Sequence, residues 1–146
     1  MRKRTTWLSL VPALHRATHR VGLYIEAAAL GVSQGEAHVL AHLHQGACSI
    51  ADLHQAFAHR RSTLTSILDR LEGRGLVRRR LREEDRRSFR VCLTPRGRGL
   101  ARAVHAALAE LEALVASRVR LADGAGFEAV MDALQQASRP AVRRKP

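Results

Sequence analysis

Between Leu64 and Leu93 the hydrophobic period changes from that of a helix to that of a strand, and this change limits the fold more than any other feature. Leu64, Ile67, Leu68 and Leu71 recur at i, i+3, i+4 and i+7, one buried stripe of a helix beginning near Ser62 and ending by Gly73 or Gly75. Leu76 to Leu81 then reads as a strand and Arg82 to Arg87 as a charged loop, after which Phe89, Val91 and Leu93 alternate with Arg90, Cys92 and Thr94. Alternation of period two marks a half-buried strand. A short helix, a tight turn, a second helix and then a hairpin predict a helix-turn-helix followed by a wing.

The flanking elements are helical. A first helix is expected from about Thr6 to Leu30, with Leu14, Val21, Ile25 and Ala28 on one stripe and Gly31 at its C-terminal end. Ser33 with Glu36, and Ser49 with Asp52, have the spacing of capping boxes and open the next two helices. The first of these carries Val39, Leu40 and Leu43 and closes at Gly46; the second points Ile50, Leu53 and Phe57 inward. A polar turn, Ala58 to Arg61, leads into the Leu64 helix. After the hairpin, Thr94 and Pro95 supply an N-cap and a first-turn proline for a helix running to about Leu121, striped by Leu100, Val104, Leu108, Leu111 and Val115. A final helix is expected from about Gly126 to Gln136, with Phe127, Val130, Met131 and Leu134. The fold class is therefore mainly α with a small β-hairpin wing. The basic segment 139–146, with two prolines, is expected to be disordered.

Charge localises the partner. Between Arg60 and Arg102 there are fourteen arginines against five acids, so this stretch holds nine of the chain's twelve excess positive charges. Arginine forks onto phosphate or guanine in a way lysine cannot. One basic segment on an otherwise balanced chain implies a polyanion docked at one place. The two cysteines are too few for a disulfide framework, and no apolar run approaches the roughly 18 residues of a membrane span, so a cytoplasmic protein is expected. The basic start, with its short apolar run from Trp7 to Leu14, does not read as a signal peptide. No phosphate loop, nucleophile elbow or zinc-protease motif is present, so neither an enzyme nor a cofactor is expected.

Two segments carry a family resemblance. Ser62-Thr-Leu-Thr-Ser-Ile-Leu-Asp-Arg-Leu-Glu-Gly-Arg-Gly-Leu-Val-Arg-Arg and Asp85-Arg-Arg-Ser-Phe-Arg-Val-Cys-Leu-Thr-Pro-Arg-Gly together resemble the MarR family of winged helix-turn-helix transcriptional regulators. The resemblance implies a single domain over 1–138. Helices at about 6–30 and 95–137 would form the dimerisation part, and residues 33–94 the winged helix-turn-helix. It implies a triangular homodimer on a pseudo-palindromic double-stranded operator, usually repressed, and in many members a small-molecule effector pocket between the dimerisation helices and the DNA-binding lobe. Dimerisation also has a physical motive: Trp7, Leu8, Leu10 and Val11, with the final helix, leave more apolar surface than one lobe can bury.

The expected DNA-binding residues lie on the Leu64 helix and the wing. Arg61 ends the polar turn, and Ser62, Thr63, Thr65, Ser66 and Arg70 fall on the helix edges away from its buried stripe, where short hydroxyls let the backbone approach the major-groove floor. Ser62 reads equally well as a helix cap. The resemblance places Arg87 in the minor groove and Arg86 on phosphate or sharing that role. Asp85 is expected to orient the wing loop through an arginine, because phosphate repels a carboxylate. His38 and His42 flank the apolar face of their helix and are candidates for lining an effector pocket. Pairs such as His15 with His19 and His38 with His42 have the i, i+4 spacing of zinc ligands, but they sit on different helices without a cysteine, and surface or pocket-lining imidazoles are the default. Cys48 and Cys92 read as inert thiols.

Overall fold

The computed structural model describes residues 9–85 and 88–139. The elements in chain order are α1 (Leu10–Ala27), α2 (Gln34–His44), β1 (Cys48–Ser49), α3 (Ile50–Phe57), α4 (Arg61–Gly73), β2 (Val77–Leu81), β3 (Phe89–Leu93), α5 (Pro95–Ala116) and α6 (Leu121–Ala137). The chain divides into two compact units, Met1–Leu108 and Ala109–Pro146.

In the first unit the expected periodicities become one core. Leu64, Ile67, Leu68 and Leu71 of α4 are all buried, together with Val39, Leu40 and Leu43 of α2, Leu53 of α3, Val77 and Val91 of the hairpin, and Ala101 and Val104 of α5. Both capping boxes form. Ser33 Oγ accepts the Glu36 N–H at 3.3 Å while Glu36 Oε2 accepts the Ser33 N–H at 2.8 Å. The same reciprocal pair joins Ser49 and Asp52 at 3.1 and 2.8 Å.

The wing is the hairpin of β2 and β3, in register Val77↔Leu93, Arg79↔Val91 and Leu81↔Phe89. A third strand was not expected from sequence: β1 pairs antiparallel with β3, giving the order β1-β3-β2. Two residues are too few for any periodicity to show. The hairpin meets α5 at a tight corner. Thr94 Oγ1 donates to the Gly75 carbonyl at 2.6 Å and accepts the Gly97 N–H at 3.0 Å, as an N-cap should.

Helix ends shift from expectation. Among the described residues α1 ends at Ala27, earlier than Leu30, and the exit uses two left-handed residues, Ala29 (φ 52°) and Gly31 (φ 66°). Helix α4 starts at Arg61 with Arg60 as its cap residue, so Ser62 lies inside the first turn and is not the cap. Helix α5 stops at Ala116, short of Leu121, and α6 starts at Leu121 because the Asp123 carboxylate accepts the Arg120 N–H at 3.0 Å. In the second unit α6 buries none of its residues: Leu121 is 98% exposed and Phe127 60%.

Candidate nucleic-acid interface

Helix α4 separates its functions by face. Its leucine stripe is buried, whereas Arg61, Ser62, Thr63, Thr65, Ser66, Asp69 and Arg70 are exposed. No side chain caps its start, so the N–H groups of the first turn remain available to an anion. Thr65 Oγ1 donates to the Arg61 carbonyl at 2.9 Å, which leaves its oxygen lone pairs as acceptors. Among the described residues the hydroxyls of Ser62, Thr63 and Ser66 make no hydrogen bond within the chain.

Two ion-pair clusters hold this helix, and neither was foreseen from sequence. Glu36 is buried at the start of α2 and takes Arg70 Nε at 3.2 Å and Arg74 Nη1 at 3.7 Å. Burial pushes its carboxyl up, but the Ser33 N–H and the Arg70 guanidinium outweigh that and hold it below the ordinary value. Arg70 keeps about half of its side chain exposed. On the wing side Arg79 of β2 is clasped by two carboxylates of α4: its Nη2 pairs with Asp69, and its Nε donates to Glu72 at 2.9 Å. The Arg79 backbone N–H donates to the same Glu72 carboxylate at 3.1 Å. The wing and the helix are thus joined by charged hydrogen bonds to one arginine.

The wing loop is closed by Asp85, whose carbonyl accepts the Ser88 N–H at 3.0 Å and the Ser88 hydroxyl at 3.2 Å. Arg86 and Arg87 lie outside the described residues, as do Trp7 and Leu8. His38 and His42 both approach Phe57, with ring centroids 6.4 and 5.5 Å away, and His59 stacks on Phe57 at 5.9 Å. These rings sit at the turn that leads into α4. Burial, then the neighbouring His59, lowers the His38 pKa below the ordinary imidazole value.

Among the described residues no three His, Cys, Asp or Glu side chains gather as a metal site. Cys48 is paired in register with Val91, so Cys92 points to the opposite face of β3. Burial, followed by Asp52, pushes the Cys48 thiol up, which disfavours the reactive thiolate. No helix among the described residues is long and apolar enough to cross a membrane.

Residues 32–89, from the start of the helix-turn-helix to the second strand of the wing, match the family model of the MarR family. Over that span the chain is similar to the MarR family. MarR proteins are transcription regulators and not enzymes. The fold is that of solved MarR-type structures over most of the chain. MepR from S. aureus in its DNA-binding conformation superposes with a TM-score of 0.77 at 20% identity, covering 92% of this chain and 99% of that one. A cysteine-to-serine mutant of MarR from E. coli, complexed with operator DNA, gives 0.71 at 20% identity, covering 88% and 92%. A further MarR family transcription regulator gives 0.69 at 26% identity, covering 88% and 84%. Comparison with curated protein sequences gives no match.

Proposed function

We propose that this MarR-type chain is a cytoplasmic, sequence-specific, double-stranded DNA-binding regulator. In this reading it binds a pseudo-palindromic operator as a homodimer and represses until a small-molecule effector releases it. The observation that carries the proposal is the exposed hydroxyl edge of α4. Ser62, Thr63 and Ser66 present unengaged donors and acceptors beside an uncapped helix start, a surface that suits base edges and phosphates in a major groove. Arg61 and Arg70 flank that edge, and Arg86 and Arg87 extend the contact from the wing, Arg87 toward the minor groove and Arg86 toward phosphate. Asp85 orients the wing loop.

A homodimer is supported by the apolar surface left open. Leu114, Val115, Val119, Leu121 and Phe127 are 45–98% exposed, and so is Val11 of α1 at 62%. Exposed apolar side chains of this kind cost an isolated chain free energy that a partner removes. Effector relief is supported by the His38, His42, Phe57 and His59 rings at the entry to α4: a ligand inserted among them would move the recognition helix. Among the described residues no chemistry-bearing cluster favours an enzymatic reading.

Competition binding at raised salt tests the proposal. A regulator retains one palindrome selected from a random pool while non-specific duplex is lost, whereas equal loss of both would mean a sequence-blind binder. The solution mass should be twice the chain's 16.1 kDa; a monomer at micromolar concentration would remove the dimer.

A further inference from the structure

Side chains alternate across a strand, so the wing has two faces. Val77, Arg79 and Val91 take the face on which α4 clasps Arg79. Arg78, Arg80 and Arg90 take the other, and all three are exposed. Arg80 and Arg90 are direct cross-strand partners. Like charges in that relation weaken a sheet, so folding does not account for this pair. Arg90 Nη2 donates to the Ala47 carbonyl at 3.1 Å, which seats the guanidinium without neutralising its charge.

The cationic face continues into α5. Cys92, the strand partner of Arg78, also lines a cleft of about 330 Å³ with His44, Arg98 and Arg102. A neighbouring cleft of about 500 Å³ sets Arg78 beside Arg96. Most acids nearby are engaged elsewhere: Asp69 and Glu72 hold Arg79, Glu84 pairs with Arg82, and Glu36 takes Arg70 and Arg74, while Glu83 shares a cleft with Arg80 and Arg90. Among the described residues none of Arg78, Arg80, Arg90, Arg96, Arg98 and Arg102 has a carboxylate within ion-pair distance. Glu83 and Glu84 border this face at its Arg80–Arg90 end and Glu72 borders the cleft of Arg78 and Arg96, but the six arginines outnumber them. Arg78 and Arg80 stand about 7 Å apart along their strand, and Arg98 and Arg102 about 6 Å apart along their helix. Both spacings are close to two nucleotides of duplex rise, about 3.4 Å each.

We propose that this arginine face is a second DNA-binding surface, which holds the phosphodiester backbone of duplex outside the segment read by α4. It takes phosphates of any sequence, because guanidinium groups fork onto phosphate oxygens without touching a base. The proposal rests on the DNA-binding function given above and extends the footprint of that function.

The test uses the full chain and two duplexes. One is a selected palindrome of about 20 base pairs, and the other is the same palindrome extended by about one helical turn of unrelated sequence on each side. Extension should tighten binding by the wild type about tenfold, and should steepen its salt dependence by about 0.9 for each phosphate engaged. The triple variant Arg80→Gln, Arg90→Gln, Arg98→Gln should lose that gain while holding the short duplex within about twofold of wild type. The corresponding triple Lys variant, which keeps the charge, should regain most of it. It also serves if the Gln variant fails to fold, together with Arg90→Gln alone. A full length-dependent gain in the Gln variants overturns the proposal, and so does an equal loss on both duplexes. Should the wild type fail to prefer the palindrome over a scrambled duplex, sequence-specific regulation fails instead. The arginine face is then still decided by the length-dependent gain on scrambled DNA.

Discussion

Arg70 Nε donates to Glu36 Oε1 at 3.2 Å, tying the recognition helix to the start of α2 across 34 residues of sequence. Glu36 serves two structures with one carboxylate: one oxygen closes the capping box on Ser33 and the other takes Arg70. Arg70 is therefore held through its Nε while about half of its side chain stays exposed.

Glu36→Ala should cost about 2–3 kcal/mol of stability, because it removes a helix cap and a charged hydrogen bond together. The wild type carries a matching pH dependence. Its Glu36 carboxyl is depressed in the fold, so the contribution is complete above the ordinary carboxylate range and is lost as pH falls through the lower folded value. Chemical denaturation from pH 7 to pH 3 checks both, and an unchanged acid limb in Glu36→Gln would remove the assignment.

Arg79 is expected to couple the wing to α4. A double-mutant cycle of Arg79→Gln and Asp69→Asn should return a coupling of about 1 kcal/mol, since Asp69 is more than half exposed. Arg79→Gln should also weaken operator binding without changing its salt slope. A slope lowered by about one would instead mean that Arg79 touches phosphate.

On the reading edge of α4 the two hydroxyl types should separate. Ser66→Ala removes an unengaged hydroxyl and should alter sequence preference by about 1–3 kcal/mol at one base pair. Thr65→Ala removes a hydroxyl whose proton is committed to the Arg61 carbonyl, and should change preference less. Selection from a random duplex pool reads both, and a uniform affinity loss without a changed consensus would restrict these residues to backbone contacts.

His38 should make stability fall on mild acidification. Burial and His59 lower its pKa below the ordinary 6.5, so the unfolded chain takes up the proton first. The contribution is complete above that value and is lost as pH drops toward the folded one. In His38→Leu the slope between pH 7 and pH 5 should flatten; an identical slope would count against the burial of this ring.

Gly97 is expected to tolerate no side chain. A Cβ there would run into the Leu76 carbonyl, which already accepts the Thr94 N–H at 3.0 Å. Gly97→Ala should cost about 3 kcal/mol or more, read as a lowered melting midpoint. Gly99→Ala, with nothing within 4 Å of its Cβ position, serves as the control and should be neutral or stabilising.

Sequence alone determined what depends on local order. The α4 stripe, both capping boxes, the hairpin alternation and the Thr94–Pro95 corner are written at spacings of one to seven residues, which the backbone converts directly into geometry. The hydroxyl edge of α4 followed from the same helical wheel. Tertiary structure decided what joins distant segments. Glu36 reads as a helix cap until folding brings Arg70 and Arg74 beside it. Asp69, Glu72 and Arg79 read as ordinary surface charge until the wing folds onto α4. The arginine face depends most on the fold: only strand register sets Arg80 opposite Arg90, and only the β3–α5 corner brings Arg98 and Arg102 to the same side. Charge density was legible in sequence, but its division into clasped and unneutralised arginines was not, because ion pairs form through space.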